Sequence, residues 1–215
     1  DLAVRGPRPS RSWRPLPAPA ALALLALPLG GWVGWEQGWL PNHYQHFEAS
    51  DRQQQVKPSD GSVVELNLNS ELRYFNFKDQ RQVTLIKGEA FFKVSHDSNH
   101  PFIVRAGHGQ TRVTGTQFNV WKYQDQVKVT LVEGSVLVSS NGAEGGYRLG
   151  PGMQASYHLG DFEPQLAQSD DYDNSLAWRN GKLILDNLSL SQALPVINRY
   201  LDKPLLLAHE STGTI

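Results

Sequence analysis

Seven histidines are the side chains that most invite a chemical reading. His43 and His46 stand three apart, and His96 and His100 four apart. Such spacings suit a metal when they fall on one face of a helix. Neither pair lies in a helical pattern, and the chain has no cysteine to complete a ligand set. The histidines therefore read as scattered surface residues, and neither a metal nor a cofactor is expected. The lack of cysteine also removes disulfides and thiolate nucleophiles. No Gly-x-Ser-x-Gly elbow, Walker loop or dinucleotide fingerprint occurs, and Gly107-His108-Gly109 is too short to be more than a turn. No two carboxylates are spaced for acid–base work. The net charge is −1 and aromatics do not alternate with basic residues, so nucleic acid is not expected as a partner. The chain reads as a protein that is not an enzyme.

The elements that would position any site are mostly short strands. Val63–Leu68, Val83–Ile86, Ala90–Val94, Phe102–Val104, Phe118–Tyr123, Val127–Val132 and Ser135–Val138 are rich in Val, Phe, Tyr and Thr and are separated by Gly, Asp or Asn. Alternation is clear from Val127 to Leu131, which puts one face in a core and the other in water. A repeat stands out: Val83-Thr-Leu-Ile-Lys-Gly88 recurs as Val129-Thr-Leu-Val-Glu-Gly134. Each glycine permits a tight bend between consecutive strands. Strand–glycine–strand units predict a mainly β fold, either a β-solenoid-like stack or a sandwich. Phe91, Phe92, Phe102, Phe118 and Trp121 read as core or partly buried strand residues.

Both ends of the chain differ from this pattern. From Pro15 to Trp35 no side chain is ionisable, Arg5, Arg8, Arg11 and Arg14 precede the stretch, and Trp32, Trp35 and Trp39 close it. About 20 apolar residues span a bilayer core. The arginines place the N-terminus in the cytoplasm, and tryptophans favour the far interface. A secretory signal is the competing reading, but the stretch is long and lacks a small-x-small cleavage site. Pro15, Pro17, Pro19 and Pro28 weaken a simple helix. The expected order is a cytoplasmic juxtamembrane segment at 1–14, a transmembrane helix at 15–39, a polar periplasmic linker at 40–58, an all-β domain at 59–180, and a further module opening at 181–215. In that last part Trp178-Arg-Asn-Gly181 predicts a turn and Lys182–Asp186 a strand. Ser189 and Gln192 predict a capping box, and Leu205–Leu207 a second strand. Pro195 conflicts with a helix starting at Ser189, leaving Ser191 as the other candidate cap. The chain opens on Asp1 rather than Met and reads as a fragment or processed product.

A series of short motifs carries a resemblance. Asp60-Gly-Ser62, Leu66-Asn67 and Asn69-Ser70 come first, then Gly88-Glu-Ala-Phe-Phe-Lys-Val, Pro101-Phe-Ile-Val and Gly115-Thr-Gln-Phe-Asn-Val. Val132-Glu-Gly134, Leu149-Gly-Pro-Gly152, Ala177-Trp-Arg-Asn-Gly181 and Asn198-Arg-Tyr200 follow. In order and spacing across about 60–200 these resemble the FecR family. The resemblance implies a single-pass regulator in the bacterial inner membrane, of the anti-sigma factor type. A cytoplasmic domain preceding the present chain would bind an extracytoplasmic-function sigma factor. The periplasmic part would be a FecR-type β domain followed by an STN-like βαβ module, of which 181–215 is the start. Its expected partner is the signalling domain of an outer-membrane TonB-dependent siderophore receptor, with periplasmic and intramembrane proteases completing the relay.

The resemblance also marks one bond. Some members are cut between Gly and Thr of a Gly-Thr-x-Phe motif, here Gly115-Thr116. A Thr hydroxyl can attack the preceding carbonyl, and water then cleaves the resulting ester. The alternative is an uncut strand bend at Gly115 leading into a strand residue at Thr116. Leu183, Leu185 and Tyr200 are candidates for a surface that meets the receptor. The rival function is a membrane-anchored periplasmic glycan- or polymer-binding β module that uses exposed aromatics.

Overall fold

The structure, a computed structural model, describes residues 29–140, 145–168, 175–185, 188–201 and 203–207. It divides into two units, 1–40 and 41–215. In the first, residues 29–36 are helical and Gly38 (φ 74°) ends the segment. Trp32, Trp35 and Trp39 are exposed. Most of the expected span, 15–28, lies outside the described residues. Among those described, no helix is long and apolar enough to cross a membrane.

Among the described residues, the second unit holds thirteen strands. They are β1 (His43–Ala49), β2 (Gln54–Val56), β3 (Val63–Leu66), β4 (Ser70–Asn76), β5 (Arg81–Lys93), β6 (Phe102–Ala106) and β7 (Gly109–Val113), followed by β8 (Gln117–Tyr123), β9 (Gln126–Glu133), β10 (Val136–Ser139), β11 (Tyr147–Leu149), β12 (Met153–Tyr157) and β13 (Gln165–Gln168). All pair into one sheet that turns about β5. The first part of β5 pairs with β4 and with β6, and the order β1-β4-β5-β6-β7-β10-β11 forms one half, here half A. The second part pairs with β3 and β8, and β2-β3-β5-β8-β9-β12-β13 forms half B. The pairings are antiparallel except for β5 with β6.

The sheet curls so that both halves contribute to one buried cluster, including Leu72, Val83 and Phe102 from half A and Phe92, Phe118 and Val129 from half B. Phe92 stacks on Phe118 at 5.1 Å and meets Phe102 edge-on at 6.1 Å. Tyr157 of β12 donates its hydroxyl hydrogen to Ala106 O of β6 at 3.1 Å. In place of the expected solenoid-or-sandwich alternatives stands a sheet folded along one strand. Its halves face each other as layers do in a sandwich, yet hydrogen bonding continues from one to the other through β5.

The repeated glycines make this possible. Val83–Ile86 and Ala90–Val94 were expected as two strands with a bend between them, and they are one strand instead. Gly88, at φ 88°, turns it from half A into half B. A Cβ there would overlap Ser70 Oγ and stand 2.5 Å from Ser70 Cα. In the second copy Gly134, at φ 93°, separates β9 of half B from β10 of half A. The repeat thus marks two crossings made in opposite directions.

Two further expectations change. The stretch 40–58 was read as a linker without a core, but β1 and β2 lie within it, and Ala49 and Val56 are buried. Its strands sit at sheet edges, where polar side chains face water, so their alternation is faint in the sequence. In the C-terminal part, Ser189 does cap a helix, Leu190–Asn198, with the capping box formed and Pro195 inside. The flanking residues 182–185 and 203–207 form no strand. The helix of the expected βαβ unit is therefore present without either strand among the described residues.

Candidate functional site

The outer face of half B is where the scattered motifs meet. Glu89, one residue past the Gly88 bend, is a buried carboxylate in an otherwise apolar stretch of β5. Asn119 Nδ2 of β8 donates to one of its oxygens at 2.8 Å, and Asn67 Nδ2 donates to the other at 3.0 Å. Arg199, buried after the C-terminal helix, forms an ion pair with that second oxygen. Asn67 Nδ2 also donates to Tyr200 Oη at 2.9 Å, and Asn69 Nδ2 to Arg199 O at 2.7 Å. The Arg199 guanidinium lies 5.9 Å from the Trp121 ring. Removing two charges from water is costly unless they are paired and hydrogen-bonded, as they are here.

A second attachment lies further along the same face. Residues 177–180 form a 3₁₀ turn closed by Gly181 at φ 68°. Arg179 donates to both carboxylate oxygens of Glu65 at 2.6 and 2.8 Å and lies 3.6 Å over the Phe91 ring. Trp178 is buried, and its carbonyl accepts from Gln53 Nε2 at 2.6 Å. Bidentate geometry and ring stacking suit Arg better than Lys at such a point. Together the two attachments clasp residues 175–200 against half B. Among the described residues, Asn119 Oδ1, Trp121 Nε1, Trp178 Nε1 and Arg199 Nη2 are buried without a hydrogen-bond partner, so the seam is polar. Beside it runs a cleft of about 370 Å³ whose lining includes Trp121, Lys128, Gln154 and Leu183.

The residues singled out in the sequence fall in different places. Tyr200 belongs to the clasp. Leu183 is 42% exposed at the cleft and Leu185 is half-buried. Asn198 brackets Leu205, its side chain accepting from Leu205 N at 2.8 Å and donating to Leu205 O at 3.0 Å. This presents Leu205 and Leu206 outward. Trp121 is only 8% exposed, so its ring offers no open platform for a sugar.

Gly115 and Thr116 lie at the second crossing, away from the clasp in sequence and topology. Thr116 is buried, and its hydroxyl donates to Ser135 O at 3.2 Å. Ser70 occupies the matching place at the first crossing. Its hydroxyl accepts from Glu89 N at 2.9 Å and donates to Glu89 O at 3.0 Å. In both copies a hydroxyl reaches the residue that follows the bent glycine. Gly115 is required for a different reason than strain. A Cβ there would lie 2.5 Å from His96 Nδ1 and 2.7 Å from His96 Cα, so His96 packs directly on the Gly115 side of the bond. Of the other paired histidines, His46 Nε2 lies 3.1 Å from Glu71 Oε1, and His100 Nε2 lies 2.8 Å from Phe77 O.

Asn67, Glu89, Asn119 and Arg199 stand inside the family-like motifs, where no local pattern assigns them a role. Their separation, 110 residues between Glu89 and Arg199, gave no hint that they touch. The available signal was the charge of Glu89 beside Ala90-Phe91-Phe92.

Comparison with known proteins places the fold among known ones. Residues 47–137 match the FecR protein family. Two crystal structures from Parabacteroides distasonis ATCC 8503, each described as a candidate anti-sigma factor, are similar to the chain. One is 28% identical with a TM-score of 0.64, covering 74% of this chain and 75% of its own. The other is 29% identical with a TM-score of 0.64, covering 73% and 74%. No curated protein matches. The matched stretch contains Glu89, both crossings and the Gly115-Thr116 bond, and over residues 47–137 the chain is similar to the FecR protein family.

Proposed function

We propose that the chain is the membrane-anchored periplasmic part of an anti-sigma-type regulator. It relays occupancy of an outer-membrane TonB-dependent siderophore receptor to an extracytoplasmic-function sigma factor in the cytoplasm. The observation that carries this reading is the clasp. A C-terminal segment with outward leucines is held on the β domain through one buried ion pair and one half-exposed ion pair. A partner that binds 182–207 is then able to change how the segment sits on half B. In this reading Leu183 and Leu205 meet the receptor's signalling domain, and Leu185 and Tyr200 support them from below. The inner-membrane location, the start of an STN-like module and the downstream proteases belong to the same reading.

Self-cleavage at Gly115-Thr116 is its second part. The Thr116 hydroxyl attacks the Gly115 carbonyl, the peptide nitrogen leaves as an amine, and water hydrolyses the ester. Cleavage of this kind is maturation in a single turnover. Its support is the matched family stretch and the close packing at Gly115. The hydrogen bond to Ser135 O gives Thr116 a structural task as well, as Ser70 has.

Pull-down of the receptor signalling domain tests the relay. Charge and leucine substitutions in 182–207 are expected to abolish capture, while substitutions in β10 and β11 leave it intact. Capture unchanged by the first set contradicts the reading. Intact-mass analysis tests the bond: two fragments meeting at 115/116 in wild type and one chain in Thr116→Ala are expected.

A further inference from the structure

The outer face of half A carries two cross-strand rows that the clasp does not touch. One runs Tyr44, Phe75, Gln82, Ile103, Arg112, Leu137 and Arg148, as the pairing registers dictate. The next runs His46, Arg73, Thr84, Arg105, Gln110 and Ser139. Arg73, Arg105, Arg112 and Arg148 are all exposed, and neither row contains an acidic residue. Among the described residues, Glu71 and Glu48 stand in the row beyond them, where Glu71 lies 3.1 Å from His46 of the second row and both lie near Lys87. Arg148 donates to Ser135 Oγ at 3.0 Å, and none of the four arginines forms an ion pair among the described residues.

Arg73 and Arg105 are separated by one strand, as are Arg112 and Arg148. That spacing is on the order of 10 Å, too wide for two guanidiniums to share one small anion. It suits a surface that bears many separate negative charges. Aromatic rings lie at the β1 end of the same face: Tyr44 is 5.1 Å from Phe75, and Phe75 is 6.1 Å from Phe77. Tyr44 follows Leu40 by four residues, and so comes directly after the segment with the exposed tryptophans. Aromatics beside arginines are the side chains favoured at a charged bilayer surface.

We infer that the outer face of half A lies on an anionic phospholipid surface, with the arginines on the headgroup phosphates and the aromatics at the interface. The inference rests on the membrane-anchored reading. The test separates the two by using residues 41–215, which contain all thirteen strands and the whole core as one compact unit and lack the apolar segment. This unit is sedimented with vesicles of phosphatidylglycerol and phosphatidylcholine, and with phosphatidylcholine alone. Circular dichroism confirms that each variant is folded. The expected result is binding to the anionic vesicles only, lost in 0.5 M salt. Binding should fall by about tenfold or more in the double variant Arg105→Glu, Arg112→Glu and stay unchanged in Lys93→Glu on half B. Equal binding by the double variant, equal binding to neutral vesicles, or no binding to anionic vesicles at low salt each overturns the inference. The last outcome would direct the search to an acidic protein. Carbonate extraction of the full chain from inner membranes reports on the anchor independently: release of the full chain contradicts the anchor while leaving the vesicle result to stand.

Discussion

Half B presents Glu65, Glu89, Phe91, Asn119 and Trp121 outward and is covered by residues 175–200. Half A presents Arg73, Arg105, Arg112 and Arg148 outward and carries no such cover among the described residues. The two halves share β5 and one core, so packing inside the curl does not distinguish them. What differs is what the outer positions ask for. A carboxylate and two amides fixed behind a strand bend require a cation, and the chain supplies Arg199 from 110 residues away. Exposed arginines that form no ion pair among the described residues require no counter-charge from the chain, and they leave that face free for an external surface. The core is common to both halves, while their outer faces differ in charge and in cover.

That division is tested first through what the halves share. Phe92→Ala removes a ring that touches both Phe102 and Phe118 and is expected to cost about 3–5 kcal/mol. Denaturant unfolding should show a single transition at lower midpoint. Two transitions would mean that the halves are separable and would break the comparison.

A smaller effect comes from two buried tyrosines, one in each half. Burial, helped by the Asp60 carboxylate, pushes the Tyr74 hydroxyl up to about 12. Burial alone pushes Tyr157 further up from its usual range. A phenol in the unfolded chain ionises near about 10. The folded state therefore holds its proton more tightly, and the stabilisation is complete below about pH 10 and lost as pH rises through about 12. Melting temperature should fall across that window, and Tyr74→Phe should fall less steeply. An equal fall in the variant would show that Tyr74 does not contribute.

The smallest effect is expected on the bare face. Arg105→Ala should change stability by no more than about 0.5 kcal/mol, as for other exposed positions without partners, measured by the same denaturant titration. A larger loss would mean that this face has a structural task after all.

The sequence revealed local features and missed distant ones. The repeat located both crossing glycines, because a Val-Thr-Leu run ending in Gly is visible without any fold. It did not reveal that Gly88 bends one strand while Gly134 separates two, since that depends on what each strand pairs with. The Ser189 and Gln192 capping box was legible, and Pro195 proved compatible with it: the helix tolerates a proline in its interior, over only nine residues. β1 escaped notice because Ala49 is its one fully buried residue. Lys182–Asp186 reads as a strand on composition, yet a strand requires a neighbour to pair with, and the described residues 182–185 have none. The Glu89 clasp was invisible for the opposite reason: each member was noticed, but only the fold brings 67, 89, 119 and 199 together.

Residues 175–200 are held on half B above all through the Glu89–Arg199 pair. Hydrogen exchange followed by mass spectrometry tests it most directly, comparing wild type, Arg199→Ala and Arg105→Ala. The account predicts faster exchange across 175–200 in Arg199→Ala, with β5, β8 and β9 still protected, and no change in Arg105→Ala. Exchange in Arg199→Ala as slow as in wild type throughout that segment would contradict the clasp.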